Sequence, residues 1–463
     1  MSAIISTNGS LWHAAKEHLL RGPGENFGFF LAGLVRTRRT TRFALREYIP
    51  IAPGDLESDW NSPRDIKLEV LLDVINRAKK GSWAVIENHN HGGRGSGTTF
   101  SSIDRKGLRE FSAYMLEALD GRPYGAIVWG DESIDAWWWR SSTRSESVDR
   151  VVVSDRLPQI VVPTSSRAAA RLEDTEKEVG QRQILMFGEE GQRRVAQPVV
   201  AIVGLGGLGL HVAQQLAYLG VNRFVLVDGD KVAATNLNRC IGATRSDIGK
   251  PKVEIGARLV KTIRRHQKVG LVIVPQQLPH PEAIGALNDV DIIFGCLDND
   301  GGRLVLNRLA KAYNLLYFDL AAGIDARDGA FTSAGGRVAV VSPDGPCLNC
   351  MGEIDRKEAD YFLSSPSLQE QARKRGYASG WDLPNPSVVS LNGVISSMAV
   401  NEFMLGVTGL RPAETFTVFY LDSPPSSFQR ATKRSILADP DCFTCSLRGM
   451  GDKAGVAGMA STF

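Results

Sequence analysis

The chain has 463 residues, 43% of them apolar and 23% charged, which excludes wholesale disorder and is too long for one ordinary domain. Lys and Arg total 54 against 51 Asp and Glu, a balance that argues against a dedicated nucleic-acid or membrane-surface protein. Its apolar runs fall short of the roughly 18 residues needed to cross a bilayer, and the start lacks the basic-then-apolar layout of a signal peptide. Four of the six cysteines form two C-x-x-C pairs, which suggests a reducing, cytoplasmic setting and a metal rather than a disulfide scaffold.

In chain order, the pattern predicts a helix over Leu11 to Leu20 and strands over Phe27 to Val35, Phe43 to Ile51, Trp83 to Glu87 and along Tyr124 to Trp139. The triplet Trp137-Trp138-Trp139 reads as a buried strand end rather than a base-stacking platform, because few basic residues flank it. Ser141 to Arg171 reads as a polar linker with one or two strands, its arginines a solvated face. A charged helical pattern covers Leu172 to Val195. From Val199 onward, strands alternate with helices, with further strands at Phe224 to Val227, Asp291 to Phe294 and Tyr317 to Leu320. That alternation predicts a parallel, doubly wound sheet. The Gly-, Ala- and Ser-rich end, Gly449 to Phe463, reads as a disordered tail, and the chain has no internal repeats.

The first chemical constellation follows the strand Trp83 to Ile86, in Glu87-Asn88-His89-Asn90-His91. Strand residues two apart share a face, so His89 and His91 can reach one ion. Asp104 opens the helical pattern to Leu119 and can aim a carboxylate back at them. Two imidazoles and a carboxylate leave a fourth position open on a zinc ion, which activates water and polarises a carbonyl. Alone, H-x-H would fit two satisfied surface histidines. The array His89-x-His91…Ser101-x-x-Asp104 resembles the JAMM motif of MPN-domain metalloproteases, although nine residues separate His91 from Ser101 where that family usually has seven. These enzymes cut peptide or isopeptide bonds after ubiquitin-like proteins. The resemblance implies that His89, His91 and Asp104 hold zinc, Ser101 steadies the oxyanion, and Glu25, ahead of the Gly-containing strand Phe27 to Gly33, shuttles the proton.

The second constellation is Gly204-Leu205-Gly206-Gly207-Leu208-Gly209, between a strand and a helix. Such a turn lets backbone approach an anion at the helix N-terminus, and with Asp228 at the end of the next strand its default reading is NAD or FAD binding. Three further segments point to ATP instead: Asp228-Gly229-Asp230 followed by Asn236 and Arg239, then Gly249-Lys250-Pro251-Lys252, then Cys296-Leu297-Asp298-Asn299 with Arg303 beyond. Together they resemble the adenylation domain of ThiF, MoeB and the ubiquitin-activating enzymes, over about Val179 to Gly409. The resemblance implies that Gly204, Gly206, Gly207 and Gly209 approach the nucleotide and Asp228 holds the ribose. It implies that Asn236, Arg239 and Lys252 contact phosphates and that Asp298 binds Mg2+, with Asp230 and Asn299 beside them. Arg182 matches an arginine supplied to the ATP of the opposite subunit, which implies a homodimer.

Cys347-x-x-Cys350 and Cys442-x-x-Cys445 read as a closed tetrahedral zinc site, with redox dithiols as the alternative. The ThiF-like resemblance implies a structural ion at this place. Asp355 to Glu402, where a thioester cysteine would be sought, contains none. The reading is therefore an α/β chain in four parts: residues 1–142 a JAMM/MPN metalloprotease domain, 143–175 a linker, 176–448 a Rossmann-like, ThiF-type adenylyltransferase domain with a four-cysteine zinc site, and 449–463 a flexible tail. By resemblance, it adenylates the C-terminal glycine of a ubiquitin-like protein with ATP and Mg2+ and processes or removes that protein with a catalytic zinc. A separate conjugating enzyme or a sulfur donor would take the adenylate. The rivals are a sulfur-carrier adenylyltransferase, a scaffold with an inactive peptidase half, and an NAD-dependent oxidoreductase.

Overall fold

The computed structural model describes residues 2–22, 24–37, 40–57, 66–91, 97–166, 174–327, 330–376, 386–421, 427–430 and 437–456. Two sheets organise them. The first is built from β1 (Ser2–Asn8), β2 (Phe27–Arg36), β3 (Thr40–Pro50), β4 (Ala84–Asn90), β5 (Tyr124–Trp129), β6 (Ile134–Ser141), β7 (Arg144–Ser147), β8 (Arg150–Ser154) and β9 (Gln159–Val161), in the order β7-β6-β5-β4-β2-β3-β1-β8-β9. Its central strand β2 is almost continuously apolar because both faces are covered. Helix α1 (Gly9–Leu19) lays Trp12, Ala15 and Leu19 on the face that carries Phe30 and Ala32. Helices α2 (Leu68–Gly81) and α3 (Ser102–Ala118) pack Val74, Ile75, Leu108 and Met115 on the face that carries Phe27, Phe29 and Leu31.

The second sheet has the order β12-β11-β10-β13-β14-β15-β16-β17, with β10 at Val199–Val203, β11 at Arg223–Val227, β12 at Gly270–Val274, β13 at Ile292–Gly295, β14 at Leu316–Arg327, β15 at Ala330–Val341, β16 at Phe416–Tyr420 and β17 at Ser427–Arg430. The first five are parallel and the last three antiparallel, so the doubly wound sheet is mixed. Ahead of it run α4 (Asp174–Val179) and α5 (Gln181–Ala196). Helices α6 (Gly207–Leu219) and α7 (Lys252–Ile263) cover one face, and α8 (Pro281–Leu287) and α9 (Asp300–Ala312) the other. After three short helices, α10 (Leu348–Met351), α11 (Arg356–Phe362) and α12 (Pro366–Lys374), α13 (Val389–Thr408) joins the first face, packing on α6. Its evenly apolar sequence suits a helix buried between neighbours. The short α14 (Phe443–Ser446) closes the series.

Three expectations change. Tyr124 to Trp139 is not one run, because Gly130 and Asp131 turn it into the hairpin β5–β6. Residues 143–175 carry three strands, and β8 pairs in parallel with β1, so Val151-Val152-Val153 lies inside a sheet whose other half is at the N-terminus. The expected tail is ordered as far as Val456, with a 3-10 turn at Gly451–Ala454. Gly33 N–H donates to the Gly449 carbonyl, the Asp452 carboxylate accepts from the Arg36 amide and the Tyr313 hydroxyl, and Lys453 stacks on Trp83. Residues 457–463 lie outside the described residues.

These contacts help dock the two sheets on each other. At the centre of the seam Asp291, fully buried, accepts from Arg150 at 2.9–3.1 Å and from the Val199 amide at 2.9 Å, with Arg42 3.9 Å away. Arg42 donates to the Asn288 and Val290 carbonyls. Ser6 and Ser154 donate to the Tyr313 and Asn314 carbonyls. All these partners precede or open β10, β13 or β14, so the N-terminal half sits on the edge where the parallel strands begin.

Candidate functional site

The opposite edge, where the parallel strands end, gathers most of the predicted nucleotide residues. Gly204 leaves β10 at φ +91°, and a Cβ there would lie 2.5 Å from the Cys296 carbonyl oxygen. A Cβ at Gly209 would overlap the Gly204 carbonyl, and one at Gly207 would overlap the Asn392 amide. A Cβ at Gly206 would meet nothing among the described residues, so the backbone at the start of α6 borders space where an anion can approach its amides. Asp228, at the end of β11, accepts from the Leu205 amide at 2.5 Å and the Asp230 amide at 2.7 Å. Burial raises its carboxyl above the ordinary value, although Lys252 and these amides oppose the shift. Lys252 holds Asp230 at 2.8 Å; burial works against its charge, but Asp228 and Asp230 outweigh it and raise the ammonium. Arg239 runs beside Gly207 and donates to Thr235 and Asn238. Asp298, exposed, follows β13.

Two assigned residues do other work here. The side-chain oxygen of Asn236 accepts from the Ala233 amide at 3.0 Å, and that of Asn299 caps α9 through the Gly302 amide at 2.8 Å. Arg182 lies on the exposed first turn of α5, whose Gln183 donates to Tyr218 near the far end of α6 from the glycine turn. This chain does not bring Arg182 to its own nucleotide end.

In the N-terminal half, His89 lies at the end of β4 and His91 directly after it, and α3 begins beside them. Ser101 is the N-cap: its hydroxyl accepts from the Asp104 amide at 3.1 Å while its own amide donates to Asp104 at 2.7 Å, a capping box that holds the carboxylate at the helix start. Asp104 lies 3.0 Å from His91 Nε2 and 3.6 Å from His89 Nε2, and one ligand atom from each of the three residues fits within 4.8 Å. Burial opposes its charge, but the two histidines and Ser101 hold the carboxyl well below the usual range. His89 is 1% exposed; burial disfavours its charge, yet Asp104 and Glu87 push it up to about 9. Neither nitrogen of His89 has a hydrogen-bond partner among the described residues. Buried polar atoms without partners cost about 1–3 kcal/mol each, and a divalent cation would satisfy one of these. Glu25 is exposed, two residues before Phe27, and Phe27 pairs with His89 across β2 and β4, which sets Glu25 at the same end of the sheet.

The four cysteines converge. Cys347 lies 3.6 Å from Cys442 and 3.7 Å from Cys350, and Cys350 lies 3.6 Å from Cys445. Four sulfurs about 2.3 Å from one ion would be roughly 3.8 Å apart, so the set fits a tetrahedral metal. Cys240 is buried, and burial raises its thiol, as it does for Cys296.

Sequence reasoning missed Glu87 and Tyr124. Glu87 is 2% exposed, accepts from the Tyr124 hydroxyl at 2.5 Å, and places its other oxygen 3.7 Å from His89 Nδ1. The signal was present, since Glu87, His89 and His91 alternate along one strand face. Asn392, against Gly207, carried no local signal.

A glycine turn opening a helix, with a buried carboxylate at the next strand end and cations at the same edge, defines a nucleotide-binding α/β protein. The ThiF family model matches residues 180–443, and the chain belongs to the ThiF family. It is 31% identical over 182 residues to the SAMP-activating enzyme E1 of Haloferax volcanii, covering 39% of this chain and 63% of that one. It is 31% identical over 281 residues to the molybdopterin-synthase adenylyltransferase of Escherichia coli, covering 60% and 99%. To the sulfur carrier protein ThiS adenylyltransferase of the same organism it is 30% identical over 174 residues, covering 37% and 65%. The chain thus spans less than two thirds of the first and third of these relatives. The family match begins beyond the histidine cluster.

Proposed function

We propose that the chain activates the C-terminal carboxylate of a ubiquitin-like or sulfur-carrier protein as an acyl-adenylate. The observation that carries this reading is the gathering of Gly204–Gly209, Asp228, Arg239, Lys252 and Asp298 at one sheet edge. Attack of a carboxylate on the α-phosphate asks for neutralised phosphates, an in-line pose and a metal on the leaving pyrophosphate. The amides at the start of α6 receive phosphate oxygens, Arg239 and Lys252 supply positive charge, Asp228 takes the ribose hydroxyls, and Asp298 holds Mg2+. Arg182 is supplied across a homodimer interface, where the exposed apolar side chains of Val179, Leu185 and Met186 flank it. The direct test is ATP–pyrophosphate exchange with a ubiquitin-like protein ending in Gly-Gly. Nicotinamide binding with no exchange would replace this reading with an oxidoreductase.

The N-terminal half is, in this reading, a JAMM-type zinc peptidase that trims or releases the same tail. The partnerless nitrogens of buried His89 beside His91 and Asp104 support it. Zinc held there would polarise the scissile carbonyl and activate water. Glu25 would take and return the proton, worth about 10²–10⁴-fold. Cleavage of a C-terminally extended substrate should therefore fall by that factor in Glu25→Ala; equal cleavage would remove Glu25 from the mechanism. The four cysteines hold a structural zinc.

A second outcome has its own support. The two cysteines outside the cluster, Cys240 and Cys296, have raised thiols, and neither suits a thioester. The adenylate then passes straight to a separate conjugating enzyme or to a sulfur donor that makes a thiocarboxylate. Mass spectrometry of the partner after ATP, Mg2+ and a sulfide source separates the two.

A further inference from the structure

We propose that Glu87 is a positioning residue that accepts the Nδ1 proton of His89 and so turns Nε2 toward a divalent transition-metal ion shared with His91 and Asp104. The inference rests on the zinc-site reading above. A neutral imidazole carries one N–H, and with that proton on Nε2 it could not ligate from the atom that faces Asp104. The environment of His89 offers an acceptor on the Nδ1 side. Glu87 Oε1 lies 3.7 Å away, and both atoms are buried and lack any hydrogen-bond partner among the described residues. A shift of less than an ångström would bring them to about 3 Å. The other oxygen of Glu87 is already fixed by the Tyr124 hydroxyl at 2.5 Å, on the neighbouring strand β5, so the carboxylate cannot swing away freely.

The composition of the pocket points the same way. Two carboxylates, Glu87 and Asp104, meet two imidazoles beside Phe27 and Phe100, whose rings lie 6.2 and 5.8 Å from that of His89, a donor set suited to one divalent cation. A carboxylate behind a ligating histidine fixes its tautomer and strengthens it as a donor.

The experiment measures zinc affinity of the full-length chain by chelator competition, with Co2+ absorption to separate the histidine site from the thiolate site. Glu87→Leu should weaken the histidine site by about 10–100-fold, and Glu87→Gln, which keeps an acceptor without the charge, by less. The thiolate site and the thermal unfolding midpoint of Glu87→Gln should stay unchanged. Wild-type affinity in both variants, with binding lost in His89→Ala, would overturn the role of Glu87 and leave the site standing. Undiminished metal in His89→Ala would sink the site reading itself. If Glu87→Leu does not fold, wild-type affinity in Glu87→Gln together with Tyr124→Phe overturns the proposal.

Discussion

At Gly209 a single methyl group would overlap the Gly204 carbonyl, while Gly204 holds φ +91° against the Cys296 carbonyl. Both positions therefore demand glycine, one for space and one also for conformation. The turn sets the start of α6 beside Asp228, and the loop after β13 brings Asp298 to the same edge. Asp298 is exposed, and its side chain accepts a 3.4 Å bond from the neighbouring Asn299 amide. Its removal should leave the fold intact and strip the metal from the pyrophosphate end. We expect Asp298→Ala to lower ATP–pyrophosphate exchange by about 10²–10³-fold with peptide cleavage and melting temperature unchanged; full exchange would contradict the assignment. Single residues were legible where chemistry and spacing coincide, as in His89, His91 and Asp104. Glu87 escaped because a carboxylate at a strand's solvent end looks ordinary until Tyr124, far along the chain, closes over it.

At the scale of elements, local pattern carried the strands β2, β4, β10, β11 and β13 and the helix α3, whose start is fixed by the Ser101–Asp104 capping box. Pattern failed where pairing is remote. β8 is a strand because β1 lies beside it, and the segment after Cys445 is ordered because Gly33, Arg36 and Trp83 receive it. The two cysteine pairs sit in that same context: Cys347 and Cys350 around the start of α10, Cys442 and Cys445 around the start of α14, directly ahead of the docked segment. An ion held there would tie the segment to the second sheet. At free zinc a thousandfold above the dissociation constant, that binding stabilises the fold by about 4 kcal/mol. Cys350→Ser should therefore lower the melting temperature by on the order of 10 °C and release one zinc per chain. An unchanged melting curve and metal content would rule out a staple.

For the whole molecule, the seam between the sheets is the controlling feature. Asp291 neutralises Arg150 directly and faces Arg42, all three buried. Asp291→Ala would leave two buried guanidiniums without their carboxylate, at a cost of about 3–5 kcal/mol, to be read from denaturant unfolding of the full chain; a loss under about 1 kcal/mol would mean the seam adapts. The seam lies where the parallel strands begin and the proposed nucleotide residues where they end. Strands of five residues, such as β10, separate those edges by about 16 Å. In the proposed reading, a tail cut in the N-terminal half, which docks at the opposite edge, must leave its site before its carboxylate reaches Asp298 of the same chain. Processing and activation should then be kinetically independent. An equal mixture of Glu25→Ala and Asp298→Ala chains should convert an extended precursor to the adenylate at the rate of wild type at half concentration, since each step keeps half its sites. A mixture several-fold slower than that would reveal direct transfer within one chain.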